Sequence, residues 1–161
     1  MIALLIAAAL IVPDVPDDAR TPGVDNPAVT QANIGQTICV HGWTSTVRPP
    51  ASYTNALKRK QLAALGYADQ NPAHYEEDHR ESIEDGGDPR APANLYPEPY
   101  FPPSGYGARV KDKLETATSH AICRRAITLA QGRAILKGNW RTAFARYCGL
   151  TPSATCNVIG P

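Results

Sequence analysis

The chain has 161 residues, a net charge of +1 and a charged fraction of 19%. That length supports one domain with a modest core, and the charge lacks the basic excess of an obligate nucleic-acid binder without excluding a nucleic-acid substrate. With 15 prolines and only 7% aromatic residues, we expect long irregular connections around a few helices and no β-sandwich.

The first residues form an uncharged apolar run, MIALLIAAALIV, which ends at Pro13. A membrane-spanning helix needs about 20 apolar residues, whereas the apolar core of a signal peptide has this shorter length. We therefore predict that residues 1–20 are an export signal or a retained N-terminal membrane anchor, with a buried N-terminal helix as the alternative. The protein would then be exported, either periplasmic or secreted.

The cysteines support export. There are 4 of them, Cys39, Cys123, Cys148 and Cys156, and none forms a C-x-x-C pair, which disfavours a zinc knuckle or a redox motif. An even number behind an export-like segment suggests two disulfides. Three pairings exist. We favour Cys39 with Cys123 and Cys148 with Cys156, and four reduced thiols remain the alternative.

After the apolar run, residues 13–36 have no apolar period and predict a linker or a wrapping arm. The stretch QTICVHGWTSTVRPP is apolar and β-branched, so it predicts a strand or an extended segment. The stretch SYTNALKRKQLAALGY predicts the first helix, capped by Ser52 and ended by Gly66. Its Lys58, Arg59 and Lys60 are interpreted as a solvated face, in preference to a phosphate-binding patch.

The remaining elements follow in order. HYEEDHR and NLYPEPY predict two short strands, separated by turns around GGDPRAPAN. ARVKDKLETATSHAICRRA predicts a helix, and another helical segment begins near Thr128 and is interrupted at Gly138. Trp140, Phe144 and Tyr147 lie four and three residues apart and predict a core-facing side of that segment. The predicted fold class is α+β, mostly helical and loop-rich, with a short hairpin plus helix packed with two or three further helices.

The middle of the chain carries an ordered motif. Asp78-His79 ends the first predicted strand, Gly86-Gly87 forms a turn, Asn94-Leu95 begins the second extended segment, and a helix opens near Lys111. This order resembles the ββα-metal finger of HNH nucleases. Residues 21–161 are therefore expected to form a single HNH-like domain whose finger core spans about 75–120.

The resemblance is closer to a group of bacterial HNH-like proteins that are mostly uncharacterised and often exported. It depends on four stretches and covers the chain from about Thr21 to Tyr147: TICVHGWTSTVRPPASYTNALKRKQ, YEEDHRESIEDGGDPRAPANLYPEP, GARVKDKLETATSHAIC and AQGRAILKGNW. It implies hydrolysis of phosphodiester bonds in DNA or RNA, with one divalent ion as Lewis acid. Magnesium and manganese are the favoured ions, and zinc and nickel are the alternatives.

The resemblance also implies roles for individual residues. His79 would be the general base, since a histidine pKa lies near neutrality, and Asp78 would be a metal ligand. Asn94 would hold the loop and orient the His79 ring through the ring itself or nearby backbone. Lys111 would contact a phosphate.

This chain departs from the family pattern at two places. Polar residues, Arg80 to Ser82, replace the usual apolar-Pro segment after the DH pair, and Ala108 stands where a metal ligand is common. The ion would then need ligands from elsewhere. The candidates are Glu84, Asp112, Glu115 and His120.

Two functions follow from these patterns. The first is an exported metal-dependent HNH-type nuclease with nucleic acid as its substrate. The alternative, which the two departures motivate, is a catalytically degenerate module that serves as an envelope binding or assembly protein. An inhibitor or an envelope protein is a candidate partner, and because the chain has no phosphate-binding loop, no nucleotide cofactor is expected.

Overall fold

The structure is a computed structural model that describes residues 19–159. Within this range the chain forms a small α+β fold, as predicted, with five α-helices and one antiparallel hairpin. Most of the predicted export segment lies outside the described residues. None of the helices in the described range is long and apolar enough to cross a bilayer. The elements are α1 Trp43–Val47, α2 Ala51–Ala64, β1 Tyr75–His79, β2 Leu95–Pro99, α3 Ala108–Cys123, α4 Leu129–Lys137 and α5 Trp140–Tyr147.

The hairpin forms where the two short strands were predicted. Its register places His79 opposite Leu95 and Tyr75 opposite Pro99. The connection needs both glycines, for different reasons. Gly86 has φ +81°, in the left-handed region, and a Cβ on Gly87 would lie 2.0 Å from the backbone oxygen of Glu81. No residue larger than glycine fits position 87 unless the backbone moves.

Helix α2 was predicted correctly, but its start and its buried side were not. The helix begins at Ala51, and the residue before it, Pro50, gives no side-chain cap, so the predicted Ser52 cap is wrong. Gly66 follows the helix with φ +73°. Lys58 is 8% exposed, and its Nζ donates to the backbone carbonyl oxygen of Tyr75 at 2.7 Å. Lys58 is therefore not part of a solvated face.

The predicted strand in QTICVHGWTSTVRPP is wrong. This segment contains the short helix α1, which follows Gly42 at φ +80°. The two strands pair only with each other among the described residues, so this run has no sheet to join. Ile38 packs into the helical core instead.

The main core lies between α3, α4 and α5. Trp140 and Phe144 are buried there, and Tyr147 packs against them partly buried, which confirms the predicted apolar face. Thr128 caps α4 through a capping box with Gln131, and Gly138 separates α4 from α5. The N-terminal arm contributes two more core residues, Val29 and Ile34, and the segment after it contributes Ile38.

The structure contains the two disulfides that we favoured. Cys39–Cys123 joins the segment after the arm to the end of α3, and Cys148–Cys156 closes a loop after α5. No cysteine is left free. Two disulfides indicate an oxidising environment for this chain.

Candidate active site and buried cation

His79, the last residue of β1, is held in one tautomer. Its Nε2 lies 3.1 Å from the Pro89 carbonyl oxygen, so Nε2 carries the proton and donates it. The side chain is largely enclosed, and this burial lowers the pKa of His79. The ring is therefore neutral near pH 7, and its Nδ1 keeps a lone pair. Nδ1 has no hydrogen-bond partner among the described residues.

Asn94 fixes the loop that carries Pro89. It is fully buried, and its Oδ1 accepts from the Glu81 N–H at 2.9 Å and the Val24 N–H at 3.2 Å. Its Nδ2 donates to the Glu81 and Asp88 oxygens at 3.0 and 2.8 Å. Asn94 thus holds the loop as expected, but it does not contact the His79 ring. We correct its predicted catalytic role to a positioning role.

The polar segment from Arg80 to Ser82 is buried and has partners. The Arg80 guanidinium donates to the Thr21 and Lys137 carbonyl oxygens, each at 2.9 Å. Glu81 pairs with the Lys137 ammonium at 3.1 Å. This departure from the family pattern therefore ties the hairpin to the N-terminal arm and to the end of α4.

Lys111 lies in the turn of α3 that faces the hairpin. Its side chain is 1% exposed, and its Nζ donates to Asp78 Oδ2 at 2.9 Å, to the His79 carbonyl oxygen at 2.8 Å and to the Glu115 carboxylate. The three N–H donors of this ammonium are all used within the protein, so none is available to a phosphate. The structure therefore corrects the predicted phosphate contact of Lys111.

The carboxyl groups around this ammonium titrate differently. Burial opposes ionisation of Asp78, but the charge of Lys111 and a hydrogen bond from Glu98 outweigh it and lower the pKa of Asp78 to about 2. Burial and the negative charge of Asp78 raise the pKa of Glu98 well above its usual range. Burial also raises the pKa of Glu115 to about 7, against the attraction of Lys111. Asp78 is thus ionised and Glu98 protonated at neutral pH.

The predicted metal ligands do not form one site. Glu84 lies after the hairpin's first strand, Asp112 pairs with Arg109 at 3.1 Å, and His120 is exposed on α3. Ala108, which stands where a metal ligand is common in the family pattern, is buried. Residues 19–159 contain no group of three His, Cys, Asp or Glu side chains that could hold an ion.

The Asp78 carboxylate does not fit a divalent ion in this arrangement. Its Oδ1 accepts the His79 N–H at 2.7 Å and its Oδ2 accepts Lys111. An ion placed there would meet the ammonium, and like charges at such short range repel strongly. The residues present at the DH pair therefore suit the lysine and not a metal.

One charged residue near His79 was not predicted from the sequence. Arg48 is exposed, and its charge contributes to the lowered pKa of His79. It precedes α2, whose Tyr53 hydroxyl donates to the Arg90 carbonyl oxygen at 2.5 Å, next to Pro89. No local signal marks Arg48, since it lies 31 positions before His79 and only the folded chain brings them together.

Comparison of this chain with protein-family models, with curated proteins and with solved structures finds no match. The resemblance to HNH nucleases stays a prediction.

Proposed function

We propose that this protein is an exported HNH-type nuclease in which His79 is the general base for hydrolysis of phosphodiester bonds in DNA or RNA. The observation that carries the proposal is the state of the His79 ring. A base must be neutral and must have a lone pair available for the proton it takes. Donation from Nε2 to Pro89 and the lowered pKa of His79 meet both conditions.

The chemistry at this site is one proton transfer and one displacement. Nδ1 of His79 takes a proton from a water molecule, and the resulting hydroxide forms a new bond to phosphorus. The bond from phosphorus to the leaving oxygen breaks, and that oxygen takes a proton from solvent. Arg48 is a nearby cation available to attract the phosphate, because it is exposed and its charge acts on the His79 ring.

The rigid loop supports this role. The hydrogen bonds of Asn94 fix the backbone on both sides of the turn, so the Pro89 carbonyl is held in place before substrate arrives. A base held in one orientation by its surroundings loses no time or energy in reorientation. Export of such an enzyme is supported by the two disulfides.

The test is cleavage of labelled single- and double-stranded DNA and RNA by wild type, His79→Ala and His74→Ala. His74 is a matched control because it precedes the same strand but is exposed and bonded to Asp69. We expect a loss of about 10²- to 10⁴-fold for His79→Ala, the usual contribution of a general base, and wild-type rates for His74→Ala. Full activity in a folded His79→Ala variant would remove His79 as the base.

A second candidate function has its own supporting observation. Lys111 neutralises Asp78, and Ala108 supplies no ligand, as expected of a finger kept as a scaffold in an envelope binding or assembly module. Wild-type protein that is folded, disulfide-bonded and inactive on every nucleic acid, with and without added divalent ions, would favour this alternative over the nuclease.

A further inference from the structure

We propose that the junction between the hairpin and α3 is a cation site that the protein fills with its own lysine. The Lys111 ammonium takes the position and the charge of an exchangeable ion, so the wild-type site holds no divalent metal. Removing the ammonium would open a site for a hard divalent cation. This inference concerns binding, and it stands or falls independently of the proposed nuclease activity.

The Lys111 Nζ lies in a shell of oxygen atoms. Three oxygens surround it: Asp78 Oδ2 at 2.9 Å, the His79 carbonyl oxygen at 2.8 Å and a Glu115 carboxylate oxygen. Two carboxylates and a backbone carbonyl are oxygen ligands of the kind that Mg²⁺, Mn²⁺ and Ca²⁺ accept. The same three groups would face an ion if the lysine side chain were absent.

A buried carboxyl group without a hydrogen-bond partner lies near this shell. Asp85 is fully buried, and neither of its oxygens has a hydrogen-bond partner among the described residues. It ends the 3₁₀ turn Ile83–Asp85, which packs against α3, and it interacts electrostatically with Glu115 and Lys111. An unpaired buried carboxyl is costly, and its two unpaired oxygens add to the oxygen groups at this junction.

Several acidic side chains gather around one ammonium. The carboxyl groups of Asp78 and Glu115 bond the Lys111 Nζ directly. The carboxyl groups of Asp85 and Glu98 are fully buried close to the same ammonium. The junction therefore supplies more carboxyl oxygens than one ammonium bonds, which is what an ion-binding shell would need once the lysine is removed.

The experiment compares Mn²⁺ binding, by calorimetry and by electron paramagnetic resonance, in four proteins: wild type, Lys111→Ala, Lys111→Ala with Asp78→Asn, and the control Lys113→Ala. Lys113 is an exposed lysine on the same helix. We expect saturable binding of one Mn²⁺ by Lys111→Ala alone. The affinity of Lys111→Ala for Mn²⁺ should exceed that of wild type and of the control at least tenfold. The double variant should lose this binding.

Two results would overturn the inference. One is saturable Mn²⁺ binding by wild type that matches Lys111→Ala in affinity, because the site would then hold an ion beside the lysine. The other is a folded Lys111→Ala protein that binds no Mn²⁺. If Lys111→Ala is unfolded without metal, circular dichroism during Mn²⁺ titration decides the matter. Recovery of the folded spectrum is expected because binding energy becomes folding energy, and no recovery refutes the proposal.

Discussion

The buried carboxyl of Glu81 makes stability depend on pH in a way that one substitution can isolate. Glu81 is fully buried between the arm and the end of α4. Its carboxyl lies beside Asp25, and Lys137 lies 3.1 Å away. Burial and the proximity of Asp25 raise the pKa of Glu81 from 4.5 to about 8. The native protein therefore keeps this group protonated at pH values where the unfolded chain has released the proton.

The sign follows from proton counting. Between pH 4.5 and about 8 the native state binds one proton more than the unfolded state at Glu81, so the free energy of unfolding falls as pH rises. The slope from this group approaches about 1.4 kcal/mol per pH unit. The contribution of Glu81 to the free energy of unfolding is fully present below pH 4.5 and is lost as the pH rises through 8. Its largest value is about 5 kcal/mol.

Glu81→Gln removes the titration and keeps the shape, because the amide resembles the protonated carboxyl. We expect wild type and Glu81→Gln to be similar at pH 5, with the variant increasingly more stable towards pH 8. Urea unfolding followed by circular dichroism at half-unit steps measures the difference. Parallel profiles for wild type and Glu81→Gln would refute the reasoning.

The remaining predictions use the same urea assay at one pH. Asn94→Ala deletes four hydrogen bonds, two of them buried and two partly buried. It should cost roughly 3–5 kcal/mol, since the backbone groups that Asn94 bonds are left unpaired. A loss below about 1 kcal/mol would contradict the positioning role. Replacing both cysteines of a disulfide by serine should cost more for Cys39–Cys123 than for Cys148–Cys156. Their separations of 84 and 8 residues correspond to about 4.5 and about 2.5 kcal/mol of chain entropy. Equal losses would argue against that model.

Local patterns in the sequence determined most of the elements. The apolar spacing of Trp140 and Phe144 predicted their core face, and the stretches HYEEDHR and NLYPEPY predicted the hairpin strands. The helical signal succeeds because the helix period depends on neighbours only a few residues away. The segment before α2 failed for a related reason. Its β-branched residues fit a strand, but whether a strand forms depends on a partner elsewhere in the chain.

The sequence also placed His79 and Asn94 in the candidate site, through the order of the DH pair, the glycine turn and the NL pair. The roles of individual side chains were less accessible. Asn94 was expected to act on the His79 ring directly or through nearby backbone, and the structure shows the backbone alternative. A linear motif fixes which residues are near each other, but not which of several nearby groups a side chain will bond.

Burial was the property that only the tertiary structure decided. Lys58 and Lys111 look alike in sequence to exposed lysines, yet both are enclosed, with Nζ bonded to backbone oxygen in each case. Lys111 is enclosed because α3 packs its first turns against the hairpin, 32 residues from His79. The cost of burying a charge forces partners to gather around it, and those partners come from distant parts of the chain. The chemistry of the site therefore depends on packing that no local pattern encodes.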